Sequence, residues 1–391
     1  METLKFLMTT TFYPPFHIGG DAVHVKYLSE ELAKRGHEVH VMHSLDAHRL
    51  KRGKSEKAPV SEENGVHMHP LKSGSGLAST YKGYLFGRSG YFDGRYRALL
   101  KEIAPDVVHH HNISLLGASL LEKTGAYRQL YTAHDYWLIC QKNNLMRGGG
   151  VCDGTGCIWC AVASGRPPQL WRGRLRLEDI DCAIAPSRYM AGKLSGLGLK
   201  IKVLPNFAPE PPIEIPDVPD NDFFLYLGVL EEHKGVRVLL EAFSKSDQSL
   251  ILIGDGPLAG LVEETIGNLG LAPRVKYLGW MSDGRWPYLK KAKALLIPSI
   301  GPENHPVTAL EAMSVGTPTV CSDMGGTKEI AGMLSEKLVI PADGLEAGLK
   351  DIRLPDLSRE EILKTYLANF SPASYLTEYE KLARGTSEGT R

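Results

Sequence analysis

The chain has 391 residues, 43% hydrophobic and 23% charged, and its 45 Lys and Arg balance 45 Asp and Glu, which excludes a mainly disordered or fibrous protein. Zero formal net charge removes the broad attraction on which non-specific nucleic-acid binders depend, so no nucleic-acid partner is expected. No apolar run approaches the roughly 20 residues of a membrane span, and six cysteines are too sparse for a secreted disulfide scaffold, so a cytoplasmic protein without a transmembrane segment is expected.

Residues 4–9 read as a short buried strand. A Gly/Pro loop leads to Asp21, placed to cap a helix with Val25, Leu28 and Leu32 on its apolar face, and Gly36 ends it. Residues 38–43 form the next strand and complete a βαβ unit, which implies a parallel sheet with its ligand edge at the strand C-termini. The stretch 71–97, rich in Gly, Ser and Tyr, reads as a long loop with some helix. Residues 106–110 resume the strand pattern, with His109 as strand-end packing and His110 and His111 as loop residues.

Cys140, Cys152, Cys157 and Cys160 form C-x11-C-x4-C-x2-C in a Gly-rich loop that includes Gly154 and Gly156. A structural zinc ion, free or disulfide-forming thiols, and an iron–sulfur cluster are all compatible with that spacing. Cys182 and Cys321 lie in apolar, strand-like contexts and read as inert core residues. Residues 166–176 mix Arg with Leu and Trp. They suit either peripheral contact with an anionic membrane face or a solvated helix packed on the core by Leu170, Trp171 and Leu175.

Six prolines at 205, 209, 211, 212, 216 and 219 break any regular element and mark a linker. Beyond it the alternation restarts, with strands at 223–228, 250–253, 275–279 and 294–298 separated by helices, so a second doubly wound α/β domain is predicted. Residues 372–384 read as a last helix, followed by a polar tail expected to fray.

The segment 302–318 carries the most chemistry. Pro306 suits a first helical turn, while Gly316 and Pro318 stop the helix. The amides of Val307 and Thr308 would then lie at the positive end of a helix just past a strand, where a diphosphate is a natural occupant. Glu303 and Glu311 would flank that site and accept hydrogen bonds from hydroxylated rings, a layout suited to a nucleotide-sugar. The alternative places Glu303 in a solvated loop and Glu311 on the helix surface.

The Glu303-x7-Glu311 spacing, together with Gly19-Gly20, His134 in Ala-His-Asp, Pro186-Ser187, Pro205-Asn206, Lys234-Gly235, Gly254-Asp255-Gly256-Pro257 and Gly325-Gly326, resembles the group 1, or family 4, retaining glycosyltransferases. The resemblance implies the GT-B fold, two Rossmann-like doubly wound α/β domains facing a cleft. Residues 1–206 would be the acceptor-side domain with its Cys-rich loop 140–160, 207–222 the linker, 223–370 the donor domain, and 371–391 a helix returning toward the first domain. It further implies a nucleotide-sugar donor, a glycan or lipid-linked acceptor at the inner membrane face, and no cofactor in catalysis. His134, Glu303 and Lys234 would be catalytic. Gly19, Gly20, Ser187, Lys234, Gly254, Gly256, Pro306, Val307, Thr308 and Glu311 would bind the donor. The arginine that usually precedes the family lysine is Val229 here, and Arg237, His233 and Arg188 are the candidates to replace it. A nucleotide-sugar epimerase or hydrolase of the same fold and a non-catalytic nucleotide-sugar-binding protein are the competing readings.

Overall fold

A computed structural model describes residues 2–53, 55, 57–154, 157–219 and 222–386. The chain forms two compact units, one of Met1–Leu145, Cys152–Leu204 and Leu376–Arg391, the other of Met146–Val151 and Pro205–Tyr375.

The first unit and its neighbouring segment contain strands β1 (Lys5–Thr9), β2 (Glu38–Ser44), β3 (Glu62–Glu63), β4 (Val66–Leu71), β5 (Val107–His110), β6 (Arg128–Thr132), a short antiparallel pair β7 (Met146–Arg147) and β8 (Gly150–Val151), then β9 (Cys182–Ala185) and β10 (Ile201–Val203). The order in its main sheet is β10-β9-β6-β5-β1-β2-β4-β3, parallel throughout except for β3 against β4. Phe6, Leu7 and Met8 are all fully buried, as a central parallel strand covered on both faces requires. Because β2 and β5 flank β1 on opposite sides, the loops after β1 and β5 diverge there and open a crevice at the strand C-termini.

Helices among the described residues of this unit include α1 (Gly20–Lys34), α2 (Leu45–Arg52), α3 (Leu77–Phe86), α4 (Gly90–Ile103), α5 (Cys157–Ala163) and α6 (Arg188–Leu194), and the chain ends in the helix Pro372–Arg384. Two expectations are corrected. Helix α1 is capped by the Gly19 backbone, and Asp21 stands inside its first turn. The stretch 71–97 is mostly helical: α3 buries Ser79, Thr80 and Gly83, so it lacks the apolar stripe by which a helix is recognised. A Cβ at Gly83 would come within 2.7 Å of the Leu116 carbonyl oxygen, so small residues set how closely this helix packs. The chain end closes on the same unit, where Tyr379 stacks on Phe6 at 6.1 Å and Glu380 pairs with Arg35 at 3.0 Å.

The second unit is an all-parallel sheet of β11 (Phe223–Leu227), β12 (Ser249–Ile253), β13 (Val275–Tyr277), β14 (Leu295–Ile297), β15 (Thr319–Ser322) and β16 (Val339–Ile340), in the order β13-β12-β11-β14-β15-β16. Its helices are α7 (Val236–Ser244), α8 (Ala259–Asn268), α9 (Arg285–Lys291), α10 (Val307–Ser314), α11 (Thr327–Leu334), α12 (Leu345–Lys350) and α13 (Arg359–Asn369). The strand order reverses between β11 and β14, which again marks a ligand crevice. The start of the proline-rich segment is not a free linker. Phe207 and Ala208 are fully buried, Ala208 N–H donates to the Phe370 carbonyl at 3.2 Å, and Tyr366 OH donates to the Ala208 carbonyl at 3.0 Å. Residues 220–221 of the linker and 387–391 of the tail lie outside the described residues. Among the described residues no helix is long and apolar enough to cross a membrane.

Candidate active site

In the second unit the loops after β11 and β14 are stitched together. Lys234 ends a 3-10 turn, Glu232–Lys234, and Gly235 follows with φ of 73°. A Cβ at Gly235 would fall 1.8 Å from the Pro298 carbonyl oxygen, and the amides of Ile300 and Gly301 both donate to the His233 carbonyl at 3.0 Å. This brings Lys234 Nζ to 2.6 Å from Glu303 Oε1, which also accepts from Ser299 Oγ at 2.8 Å. Burial alone would raise the Glu303 carboxyl, but the Lys234 charge and the two hydrogen bonds hold it below the usual range. Gly325 fixes the other side: its Cβ would lie 2.0 Å from the Glu303 carbonyl oxygen, which accepts from Gly326 N–H at 2.7 Å.

Pro306 takes the cap position of α10 one residue ahead of the helix, so Val307 and Thr308 supply its first amides, which lack intrahelical acceptors. Neither glutamate is a solvated side chain. Glu303 is 12% exposed, and Glu311 is 4% exposed and held by two hydrogen bonds from Arg285, at 2.8 and 3.2 Å. Sequence reasoning missed Arg285, from α9, because nothing in its spacing ties it to Glu311. The candidates to replace the arginine absent at Val229 have other partners: Arg237 pairs with Glu232 at 2.8 Å and His233 with Glu231 at 3.2 Å.

Gly254 and Gly256 are glycines for packing reasons. Their Cβ atoms would stand 1.8 Å from the Gly228 carbonyl oxygen and 2.5 Å from that of Leu230, so they shape the loop after β11. Replacing Gly235 with alanine should be disruptive, since it combines positive φ with the Pro298 clash. A stability loss well above the ordinary ~1 kcal/mol is expected, with displacement of Lys234, and thermal denaturation would measure it.

In the first unit Gly19 and Gly20 follow β1, His134 follows β6 and Ser187 follows β9. Gly19 has φ of 82°, whereas a Cβ at Gly20 would meet no atom within 4 Å, so its bare backbone faces open space. His134 Nε2 lies 2.8 Å from His111 Nδ1 and its ring 5.1 Å from His24. Burial lowers His134 to about 3, so its imidazole is neutral at physiological pH. His110, read from sequence as a loop residue, is fully buried at the end of β5 and hydrogen-bonds Thr9 Oγ1 at 2.7 Å. His111, also fully buried, is the partner of His134. The Ser187 hydroxyl caps a helix. The residue is 1% exposed and accepts from Met190 N–H at 3.1 Å, which caps α6.

These imidazoles predict acid lability. Burial lowers His43, His110 and His134 in the first unit, and His305 in the second, to about 3. The unfolded chain therefore binds more protons below the ordinary histidine value, and stability falls as pH drops from about 6.5 toward 3. Each imidazole should add a slope of about 1.4 kcal/mol per pH unit at most, so denaturant unfolding at pH 7, 6 and 5 should show the first unit losing stability more steeply.

The four clustered cysteines are free thiols. Cys152 Sγ accepts from Gly154 N–H at 3.4 Å and Cys157 Sγ donates to the Gly154 carbonyl at 3.5 Å. Among the described residues no three His, Cys, Asp or Glu side chains stand where they could hold one metal ion, so the geometry lends the zinc expectation no support. Residues 155 and 156, within this loop, lie outside the described residues. The arginine-rich segment forms a 3-10 turn, Leu170–Arg174, in which Trp171 packs on the core and donates Nε1–H to the Tyr84 carbonyl at 3.0 Å. Leu175 also packs there, while the Leu170 side chain lies outside those described.

Two Rossmann-like units with parallel sheets define the GT-B class of glycosyltransferase. The sequence model of Glycosyltransferase Family 4 matches residues 18–209, and that of Glycosyl transferases group 1 matches residues 213–354. The chain belongs to the group 1 (family 4) glycosyltransferases. It is 25% identical to an uncharacterized glycosyltransferase of Methanocaldococcus jannaschii, over 98% of this chain and 97% of the relative. Sucrose-phosphate synthase from Thermosynechococcus elongatus shares the fold with a TM-score of 0.72 at 18% identity, over 98% of each chain. Anabaena HepE in complex with UDP does so with a TM-score of 0.61 at 14% identity, over 98% of this chain and 100% of that one.

Proposed function

We propose that this enzyme moves a hexosyl or N-acetylhexosaminyl unit from a UDP- or GDP-linked sugar to a hydroxyl of a glycan or lipid-linked acceptor, with retention of anomeric configuration. The observation that carries the reading is the Lys234–Glu303 pair at 2.6 Å, at the strand-order reversal of the second unit and four residues before the first amide of α10. UDP bound to the structural relative HepE supports a nucleoside-diphosphate leaving group.

In this reading the α10 amides and Lys234 receive the diphosphate, and Lys234 compensates the charge that grows on it as its bond to the anomeric carbon breaks. The acceptor oxygen bonds to that carbon from the same face, and its proton passes to the departing diphosphate. Glu303 orients sugar hydroxyls. Glu311, fixed by Arg285, has lone pairs left for ribose hydroxyls.

Thermal-shift measurements against UDP-, GDP- and ADP-linked sugars test the donor. At least one should raise Tm, since a ligand at a hundred times its Kd stabilises by about 2.7 kcal/mol, and Lys234→Ala should lose the shift. Failure of every nucleotide-sugar to stabilise the protein would overturn the reading.

A further inference from the structure

The first unit holds a group of buried polar atoms that neither its folding nor the donor chemistry uses. Tyr84 OH, Tyr131 OH, Trp137 Nε1 and Arg172 Nη1 are buried without a hydrogen-bond partner. The groups of Tyr131 and Trp137 face each other without meeting in a hydrogen bond, their rings 6.3 Å apart. Leaving such groups unpaired is costly, so their concentration in one place asks for an occupant.

They come from separate segments: α3, β6, the loop after β6, and the Leu170–Arg174 turn. Trp171 ties them together, with its ring 6.5 Å from that of Trp137, the Arg172 guanidinium 5.4 Å above it, and its Nε1–H on the Tyr84 carbonyl. Arg172 is within electrostatic reach of Tyr84, Tyr131 and Asp135. Asp135 accepts from Trp137 N–H at 3.0 Å and from Asn112 Nδ2 at 2.9 Å, and the same amide reaches Asp21 at 3.2 Å. Tyr84, His134, Asp135 and Arg172 are only partly buried.

The mixture of chemistries selects the ligand. An anion would meet Asp135 and Asp21, a cation would meet Arg172, and an apolar ligand would leave the phenols and guanidinium unpaired. A neutral ring bearing hydroxyls both donates and accepts. It matches Asp135 as acceptor, Arg172 and Trp137 as donors, and Tyr84 and Tyr131 as either.

We propose that Tyr84, Tyr131, Asp135, Trp137 and Arg172 form a subsite for an uncharged sugar residue of the acceptor, in which Asp135 receives a sugar hydroxyl and sets acceptor specificity. This rests on the glycosyltransferase reading above and adds the class of acceptor to it. Burial raises Asp135 to about 7, opposed by the Trp137 N–H, reinforced by Asp21 of α1, and opposed further by Arg172 and Asn143; Tyr131 of β6 and neutral His134 also face it. The accepting carboxylate therefore gains population as pH rises through 7.

Saturation-transfer NMR on the full chain, with the methyl glycosides of glucose, galactose, mannose and N-acetylglucosamine as probes, tests the subsite. At least one should bind the wild type saturably in the millimolar range, about ten-fold more tightly at pH 8 than at pH 6, given titration near 7. Asp135→Asn should weaken it at least five-fold and abolish the pH dependence. Tyr84→Phe, which removes one hydroxyl and nothing else, should weaken it several-fold. Absence of binding by all four glycosides, or equal binding by wild type and Tyr84→Phe together with no pH dependence, overturns the proposal. If Asp135→Asn does not fold, the Tyr84→Phe and pH arms decide. Nucleotide-sugar thermal shifts run in parallel keep the two claims separate. If donors still stabilise wild type and Tyr84→Phe while no glycoside binds, the subsite fails and the donor reading stands.

Discussion

Replacing Lys234 with alanine is expected to lower kcat/KM for the nucleotide-sugar by about 10- to 1000-fold, the scale of removing one preorganised charge from a developing oxyanion. Nucleoside diphosphate release would read it. The ammonium lies 2.6 Å from Glu303 and is held in place by the Gly235–Pro298 contact, so its position costs no reorganisation at the moment of transfer. The substitution also leaves the 12% exposed Glu303 carboxylate with only Ser299 as a side-chain donor and should raise its pKa. Lys234→Arg restores the charge without the compact ammonium and should recover only part of the rate. Kinetics of Lys234→Ala within two-fold of wild type would mean that another group compensates the diphosphate.

The largest stability effect should come from Glu311→Ala. It takes from the Arg285 guanidinium, 15% exposed, the carboxylate that now accepts two of its hydrogen bonds. Breaking a buried pair by removing one partner costs about 3–5 kcal/mol, a fall in Tm on the order of 10 °C for a unit of this size. Arg285→Met with Glu311→Met should recover most of the stability, because an apolar pair of similar volume removes the buried charge. Donor affinity should stay low in both variants if Glu311 receives the ribose. Recovery of donor affinity in the double variant would make the pair purely structural.

The parts of the fold and site legible in sequence were those governed by local backbone rules. Strand and helix alternation, the Pro306 start and Gly316 stop of α10, and the strand-end positions of Lys234 and Glu303 follow from periodicity, capping and loop placement. What stayed hidden depended on contacts distant along the chain. Arg285 meets Glu311 across 26 residues, and His111 meets His134 across 23, with no pattern linking either pair. Helix α3 escaped because it packs through Ser79, Thr80 and Gly83, and the periodicity of apolar residues says nothing about a face made of small ones. Ser187 and Gly254 were singled out for donor binding; in the structure one caps a helix and the other lets two backbone segments touch. A short motif marks a constrained position without saying whether a ligand or the chain itself imposes the constraint.

Isothermal titration of UDP and GDP into the wild type and Lys234→Ala tests most directly the claim that the second unit binds a nucleoside diphosphate through Lys234 and the α10 amides. It needs no knowledge of the sugar or the acceptor. At least one of the two nucleotides should bind the wild type, and its affinity should fall at least ten-fold, about 1.4 kcal/mol, in Lys234→Ala. Binding of neither nucleotide, or equal affinities in the two proteins, would contradict it.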